Sequence, residues 1–326
     1  MTLRVGPERN EGSEVIIVNE QQMNILITGG TGFIGKHLLR ELTTQHHSIT
    51  LLTRGQSKTT TVNNATVRYR HWDPMNEGNW IDEAGGCDVI INLIGKNVFE
   101  QRWNKTVKEK ILASRIVPTR MLVDAIAKAK QKPKLLISAS AVGFYGDRNG
   151  ETITEESSGG DDFLADVVMQ WELVAYTAEQ FDVRVATPRI GLVLEKSGGM
   201  IGKMLLPFRL FVGGPIGSGK QFLPWVHMDD VVRGILYPLK NEQFRGIYNL
   251  VAPNPVTMNE FAKIFGSILH RPSWLPVPNL ALQILYGEGA KVILSGQKAI
   301  PQKLQSAGYL FSYPELRPAL HSILKA

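Results

Sequence analysis

The 326-residue chain is predicted to be an α/β protein, a doubly wound parallel sheet with a smaller, discontinuous C-terminal lobe. Three observations predict it. A short apolar run, Ile25-Leu26-Ile27, enters a glycine-crowded turn and then a helix-spaced stretch from Phe33 to Leu42. Further apolar runs alternate with helical patterns as far as Ile190, which implies parallel strands covered by helices on both faces. Beyond Ile190 the alternation weakens and glycine and proline become dense.

In chain order, residues 1–22 precede the pattern. They lack the basic start and apolar run of a secretory signal, and Met23 sits directly before the first strand. The extension is an alternative start, a cloning remnant or an extra edge segment. A second strand is expected at 48–54, a polar loop at 55–65, and strands at 66–72 and 88–94. A helix at 104–130 carries Pro118 as a kink. Next come a strand at 134–140, a helix at 161–181 and a strand at 183–190. Helices are expected at 203–212 and 228–239, and Thr257-Met258-Asn259-Glu260 is a capping box opening another. Repeated prolines keep the tail's elements short. The expected division is 23–190 with 228–247 as the sheet domain, and 191–227 with 248–326 as the lobe.

The turn after the first strand carries the chemistry. Gly29 allows the tight bend, Gly32 lets the backbone approach a diphosphate, and Gly35 lets the helix pack close to the strand. The helix N-terminus presents free N–H groups to the phosphates. Thr31, Phe33 and Ile34 complete this candidate dinucleotide loop. At the tip of the second strand, where an acid would bind a ribose 2′-hydroxyl, stands Arg54, and a guanidinium suits a 2′-phosphate. The expected cofactor is NADP(H) rather than NAD.

Composition sets limits on the rest. Apolar content of 43% is ordinary for a globular protein, and no apolar run is long enough to span a bilayer. The single cysteine, Cys87, rules out an internal disulfide and fits a reducing cytoplasm. Net charge is +6 and the pI about 9.3, yet no aromatic-interleaved basic stripe points to nucleic acid. The expected partner is a small molecule, anionic or planar, with no membrane and no nucleic acid, and the protein acting as monomer or homodimer. No metal is expected, since His46-His47 lacks acidic or cysteine partners. Residues 214–220 match a phosphate-loop spacing, but Gln221 replaces the Mg²⁺-binding hydroxyl and Pro224 blocks the following helix.

Several segments together carry a family resemblance: 27–35, 88–95, Arg102-Trp103, Ile-Ser-Ala-Ser-Ala-Val-Gly-Phe-Tyr-Gly at 137–146, Trp171-Glu172, 213–230, 252–256 and 296–301. From Met23 onward the chain resembles the extended short-chain dehydrogenase/reductases, most closely an atypical "epimerase family protein" branch. The resemblance implies a Rossmann-type domain and oxidoreductase or epimerase chemistry. It places Trp72 and Asp73, with Leu93, Ile94 and Gly95, along the adenine and ribose. It places Ser138 and Ser140, with Pro188 to Ile190, near the nicotinamide. Superfamily catalysis uses a serine and a Tyr-x-x-x-Lys pair, whose cation lowers the phenol pKa from its usual value near ~10. Ser140 matches the serine. None of the eight tyrosines is followed four residues later by lysine, and Leu164 and Val168 stand where the pair is expected.

Candidate acid/base groups are therefore Ser140, Tyr145 and His227, each with a structural alternative. Tyr145 is placed to replace the phenol or to pack. His227 is a proton donor or a support for the helix that follows it. Glu172 lines the pocket or bonds a neighbour, and Tyr176 reads as structural. Arg102, Trp103, Trp171, Arg189 and Trp225 are the candidate substrate-pocket residues, with Lys220 a further cation nearby. Arg189 has the alternative of closing an internal ion pair. A non-catalytic NADP(H)-dependent regulator or sensor is the competing reading of function.

Overall fold

A computed structural model describes residues 22–76, 78 and 80–325. The expectation for the N-terminal extension falls on residues 1–21, outside the described ones. Chain order runs β1 (Asn24–Thr28), α1 (Phe33–Thr44), β2 (Ser48–Thr53), β3 (Lys58–Val62), β4 (Ala65–His71), α2 (Ile81–Ala84), β5 (Val89–Asn92) and α3 (Lys105–Lys128). It continues with β6 (Leu135–Ser138), β7 (Ser140–Ala141), β8 (Thr152–Ile153), α4 (Phe163–Tyr176), β9 (Arg184–Ile190) and β10 (Leu192–Leu194). Next are α5 (Gly199–Arg209), β11 (Phe222–Leu223), β12 (Trp225–His227), α6 (Met228–Lys240), β13 (Gly246–Leu250) and β14 (Val256–Thr257). The chain closes with α7 (Met258–Leu269), α8 (Asn279–Tyr286), α9 (Ala290–Leu294), β15 (Lys298–Ala299), α10 (Gln302–Ser306) and α11 (Leu316–Lys325).

The central sheet has the order β13-β9-β6-β5-β1-β2-β4-β3, with β7 also on β9. Its strands are parallel except for the β3–β4 hairpin. Strands buried on both faces read as continuous apolar runs. Ile25 and Ile27 point to the face covered by α1 and α6, with Leu38, Leu42, Val231 and Ile235. Leu26 points to the opposite face, with Leu122 and Ile126 of α3. Strand order reverses at β1, so a ligand crevice opens beyond the carboxyl ends of β1 and β5.

One expectation fails in the sheet. Residues 55–65, read as a polar loop, contain the edge strand β3. Its β-branched run Thr59-Thr60-Thr61-Val62 favours extended backbone, and Asn63 and Asn64 both adopt positive φ, 49° and 62°, closing a two-residue hairpin.

A separate apolar core joins α5, α7 and α11 through Phe208, Phe261, Phe265 and Leu320. The predicted capping box is present, with the Glu260 N–H donating to Thr257 Oγ1 and the Thr257 N–H donating to Glu260 Oε2.

Candidate functional site

The glycine turn folds as its residues require. Gly29 has φ +69°, and a Cβ there would stand 2.6 Å from the Leu93 carbonyl oxygen, so β1 and β5 meet at this point without a side chain between them. A Cβ on Gly35 would lie 2.3 Å from the Gly29 oxygen, which forces the helix onto the turn. The Gly32 N–H donates to that same oxygen at 2.9 Å. Gly32 is the N-cap of α1 and no side chain caps the helix, leaving its first N–H groups free for a ligand. Thr31, Gly32 and Phe33 are exposed, Ile34 is half-buried, and Gly35 is buried. The Phe33 ring packs against Gly198 at the start of α5, tying the loop to the lobe.

Arg54 follows β2, whose Leu52 pairs with Thr28 of β1. It is exposed, and among the described residues no carboxylate pairs with it. At the end of β4, Trp72 is buried against Trp80 with ring centroids 5.4 Å apart. Asp73 is exposed and turns the chain, accepting from Asn76 Nδ2 at 2.6 Å and the Met75 N–H at 3.0 Å. The Asn76 bond, then the Met75 bond, hold its carboxyl below the usual carboxylate range.

Beneath the crevice runs a buried polar layer. Thr28 Oγ1 donates to Asn92 Oδ1 at 2.7 Å, while Asn92 Nδ2 donates to Thr119 Oγ1 at 2.9 Å and Ser138 Oγ at 3.2 Å. Ile94 N–H approaches Asn92 Oδ1, and Trp171 Nε1 donates to Thr119 at 3.0 Å. Ser138 and Trp171 are buried members of this layer. Pro188 and Ile190 are buried in β9, Leu93 is half-buried, and Gly95 is exposed at the rim.

A second buried network occupies the end of β7. Ser140 Oγ donates to Glu172 Oε1 at 2.5 Å. Arg189 grips the same carboxylate with Nε and Nη2, both at 2.8 Å, and donates from Nη1 to Tyr145 Oη at 3.0 Å. Its guanidinium lies 3.3 Å from the centre of the Phe144 ring. The Tyr145 hydroxyl donates to Asn249 Oδ1 at 2.7 Å, and burial raises its pKa despite the guanidinium beside it. Tyr145 and Arg189 each take the second of their two expected roles. Tyr145 is fully buried with both hydrogen-bonding directions taken, the packing role, and Arg189, 1% exposed, closes the internal ion pair rather than lining an open pocket.

His227 likewise takes the supporting role expected as its alternative to proton donation. Its Nδ1 accepts the Asp229 N–H at 3.1 Å as the N-cap of α6, and its ring lies 3.9 Å from that of Tyr313. Burial depresses its pKa. Trp225 is fully buried and donates from Nε1 to the Asn254 carbonyl at 3.0 Å, so it too is core. Trp103 is buried with Nε1 on the Val98 carbonyl. Arg102 does line a cleft, of about 350 Å³, with Gln283, Glu288 and Lys291. Lys220 is exposed. Leu164 and Val168 on α4 present apolar surface, Leu164 lying 3.7 Å from where a Gly143 Cβ would sit.

Arg115 is the residue that sequence reading missed. Its guanidinium stands 3.3 Å from where a Gly95 Cβ would lie, 5.3 Å from the Trp171 ring, and donates to the carbonyls of Lys96 and Ile111. No carboxylate among the described residues compensates it, and burial lowers its pKa to about 10. A signal existed: Ile111 and Thr119, one turn to either side, are both buried, so Arg115 lies on the inward stripe of α3.

Residues 25–250 match the model of the NAD dependent epimerase/dehydratase family. The chain belongs to that family. Residues 277–323 match a domain of unknown function, DUF1731. The chain is 41% identical over 308 residues to the Epimerase family protein SDR39U1 homolog, chloroplastic, of Arabidopsis thaliana, covering 94% of this chain and 88% of that one. It is 40% identical over 304 residues to Epimerase family protein YfhF of Bacillus subtilis, covering 93% and 98%. The crystal structure of human epimerase family protein SDR39U1 (isoform2) with NADPH is similar with a TM-score of 0.83 at 36% identity, covering 93% and 99%. The family relation agrees with the expected resemblance and with the doubly wound Rossmann-type sheet.

Proposed function

We propose that this epimerase-family protein binds NADP(H) across the β1–β5 crevice and acts as an oxidoreductase or epimerase on a small molecule. The uncapped turn at residues 29–35 carries the reading: its glycines allow a backbone approach that a Cβ at Gly29 or Gly35 would block, and the helix N-terminus it positions has no side-chain cap. In this reading the backbone N–H groups of Phe33 and Ile34, in the first turn of α1, take the diphosphate, and the exposed Arg54 takes a 2′-phosphate. The NADPH in the human relative supports the choice of coenzyme. Bound there, the coenzyme supplies or accepts a hydride. Residues 23–190 with 228–247 form the cofactor part, and 191–227 with 248–326 the substrate lobe.

Turnover proceeds without a Tyr-x-x-x-Lys pair. Ser140 spends its proton on Glu172, so its oxygen is free to accept a hydrogen bond from a substrate hydroxyl and orient it. Glu172 accepts the hydrogen bond of the Ser140 hydroxyl while Arg189 grips the same carboxylate with two N–H groups, which fixes the direction of the Ser140 lone pairs and makes Ser140 a positioning group. Arg115 supplies the positive charge that an anionic substrate, or oxygen developing negative charge, requires.

A second reading rests on the apolar Leu164 and Val168: with no phenol base the protein binds NADP(H) as a sensor. Fluorescence titration with NADPH and NADH tests the shared claim. The wild type should prefer NADPH, and Arg54→Ala should erase roughly 10–150-fold of that preference, the worth of a charge-assisted contact. No NADPH affinity, or an unchanged preference, removes the claim. Oxidation of NADPH with carbonyl substrates separates enzyme from sensor.

A further inference from the structure

The outer face of the lobe around α5 and α8 is built against the usual pattern of a solvated surface. Helix α5 buries Ile201, Met204 and Phe208 at i, i+3 and i+7. Its opposite side is apolar as well: Leu206 and Leu210 are 64% and 62% exposed. The following chain adds Phe211 and Trp274, 54% and 68% exposed, and α8 adds Leu280 and Ile284, 66% and 63% exposed and four residues apart. These belong to one surface. The Leu275 N–H donates to the Gly213 carbonyl, Arg271 lies 4.5 Å over the Phe211 ring, and Lys203 Nζ donates to Tyr286 Oη at 3.2 Å. Scattered exposed hydrophobes need no explanation, but a contiguous group of this size marks a contact surface.

Backbone geometry adds an independent sign. Helix α5 ends in a paired closure, with the Val212 N–H on the Pro207 carbonyl and the Phe211 N–H on the Phe208 carbonyl, both at 3.0 Å. The residue after the cap in such a closure is left-handed and usually glycine. Here it is Phe211, at φ +65°, so the chain carries an aromatic where the backbone disfavours one and holds its ring out toward solvent.

Charge identifies the partner. Neither residues 197–228 nor residues 261–287 contain a single Asp or Glu, yet they carry Lys203, Arg209, Lys220, Lys263 and Arg271. Within these segments the face carries cations and no acid, Glu288 just beyond α8 being paired with Lys108, so a two-fold contact of the face with its own copy brings like charges together. It complements a surface that is apolar inside and anionic outside. We infer that the α5–α8 face docks on an anionic lipid bilayer, with Phe211, Trp274, Leu280 and Ile284 entering the headgroup boundary and Lys203, Arg209 and Arg271 meeting lipid phosphates. Span length, which led to the expectation of no membrane partner, bears on crossing a bilayer, and no described helix is long and apolar enough for that. Docking on the surface needs only the face.

Flotation with vesicles tests the inference. Full-length protein should float with phosphatidylcholine vesicles containing about 30% phosphatidylglycerol, float poorly with phosphatidylcholine alone, and lose binding as salt rises. Leu280→Ser/Ile284→Ser should weaken partition about tenfold or more while leaving NADPH affinity and circular dichroism unchanged. Arg209→Gln/Arg271→Gln should reduce binding to the anionic vesicles alone. Failure to float with anionic vesicles overturns the inference. So does sedimentation showing a dimer that the Leu280→Ser/Ile284→Ser variant dissociates, because the face is then a self-contact.

Discussion

Glu172→Gln tests the claim that the buried network at β7 is held by mutual satisfaction of its members. Three donors converge on this carboxylate: Ser140 Oγ at 2.5 Å, Arg189 Nε at 2.8 Å and Arg189 Nη2 at 2.8 Å. Arg189 is 1% exposed and Glu172 5%, so neither charge has water to fall back on. A glutamine amide keeps one acceptor oxygen but points its own NH₂ at a donor, and it leaves the guanidinium without a counter-charge. Breaking a buried pair in this way costs about 3–5 kcal/mol. In a chain of this size that lowers the melting temperature by about 4–7 °C. The triple variant Ser140→Ala/Glu172→Met/Arg189→Met replaces the carboxylate and both groups that donate to it with apolar side chains of similar length, and leaves Tyr145 its bond to Asn249. It should lie within about 2 kcal/mol of wild type. Urea unfolding followed by circular dichroism gives both values. A loss below about 1 kcal/mol for Glu172→Gln, or a triple variant less stable than the single one, refutes the reasoning.

Other expectations follow from single contacts. Gly35→Ala should abolish NADPH binding and destabilise by about 1–3 kcal/mol, since its Cβ would stand 2.3 Å from the Gly29 oxygen; Gly55→Ala, with its nearest neighbour 3.7 Å away, should do neither in the same titration and melt. Arg115→Met should change stability by no more than about 1 kcal/mol, because the cation is half-buried with no carboxylate partner among the described residues, while weakening NADPH or anionic substrate at least tenfold; a variant that unfolds instead would make Arg115 a staple for the Lys96 loop. His227 has a depressed folded-state pKa, caused first by burial and opposed by Asp229, Asp230 and Glu195. The unfolded chain then binds the proton more readily, so the stability that neutral His227 contributes is complete above its unfolded pKa near ~6.5 and declines as pH falls below it. His227→Asn keeps a side-chain acceptor at the cap and should flatten that decline in melts taken from neutral to mildly acid pH.

The sheet was legible because its signal is local and redundant. Each buried parallel strand is a short apolar run, and the glycine turn is dictated by close approach that no other residue permits. The β3 hairpin escaped because threonine and asparagine look like loop composition until their order is read as β-branched strand followed by a two-residue turn. The glycine turn and the exposed place of Arg54 at the tip of β2 were legible for a related reason: they depend on residues adjacent in sequence. The remainder of the site depends on long-range pairing. Whether Arg189 faces substrate or Glu172, 17 residues away, is decided by how β9 and α4 pack, and no spacing rule encodes that. Tyr145 shows the same limit, because its partner Asn249 is 104 residues distant on β13. Arg115 shows the opposite case, a cation on the inward stripe of a helix with no acid one turn away. Its guanidinium is held by the carbonyls of Ile111 and Lys96 at the Gly95 rim, and the loop that supplies Lys96 is 19 residues away, beyond the reach of helical spacing.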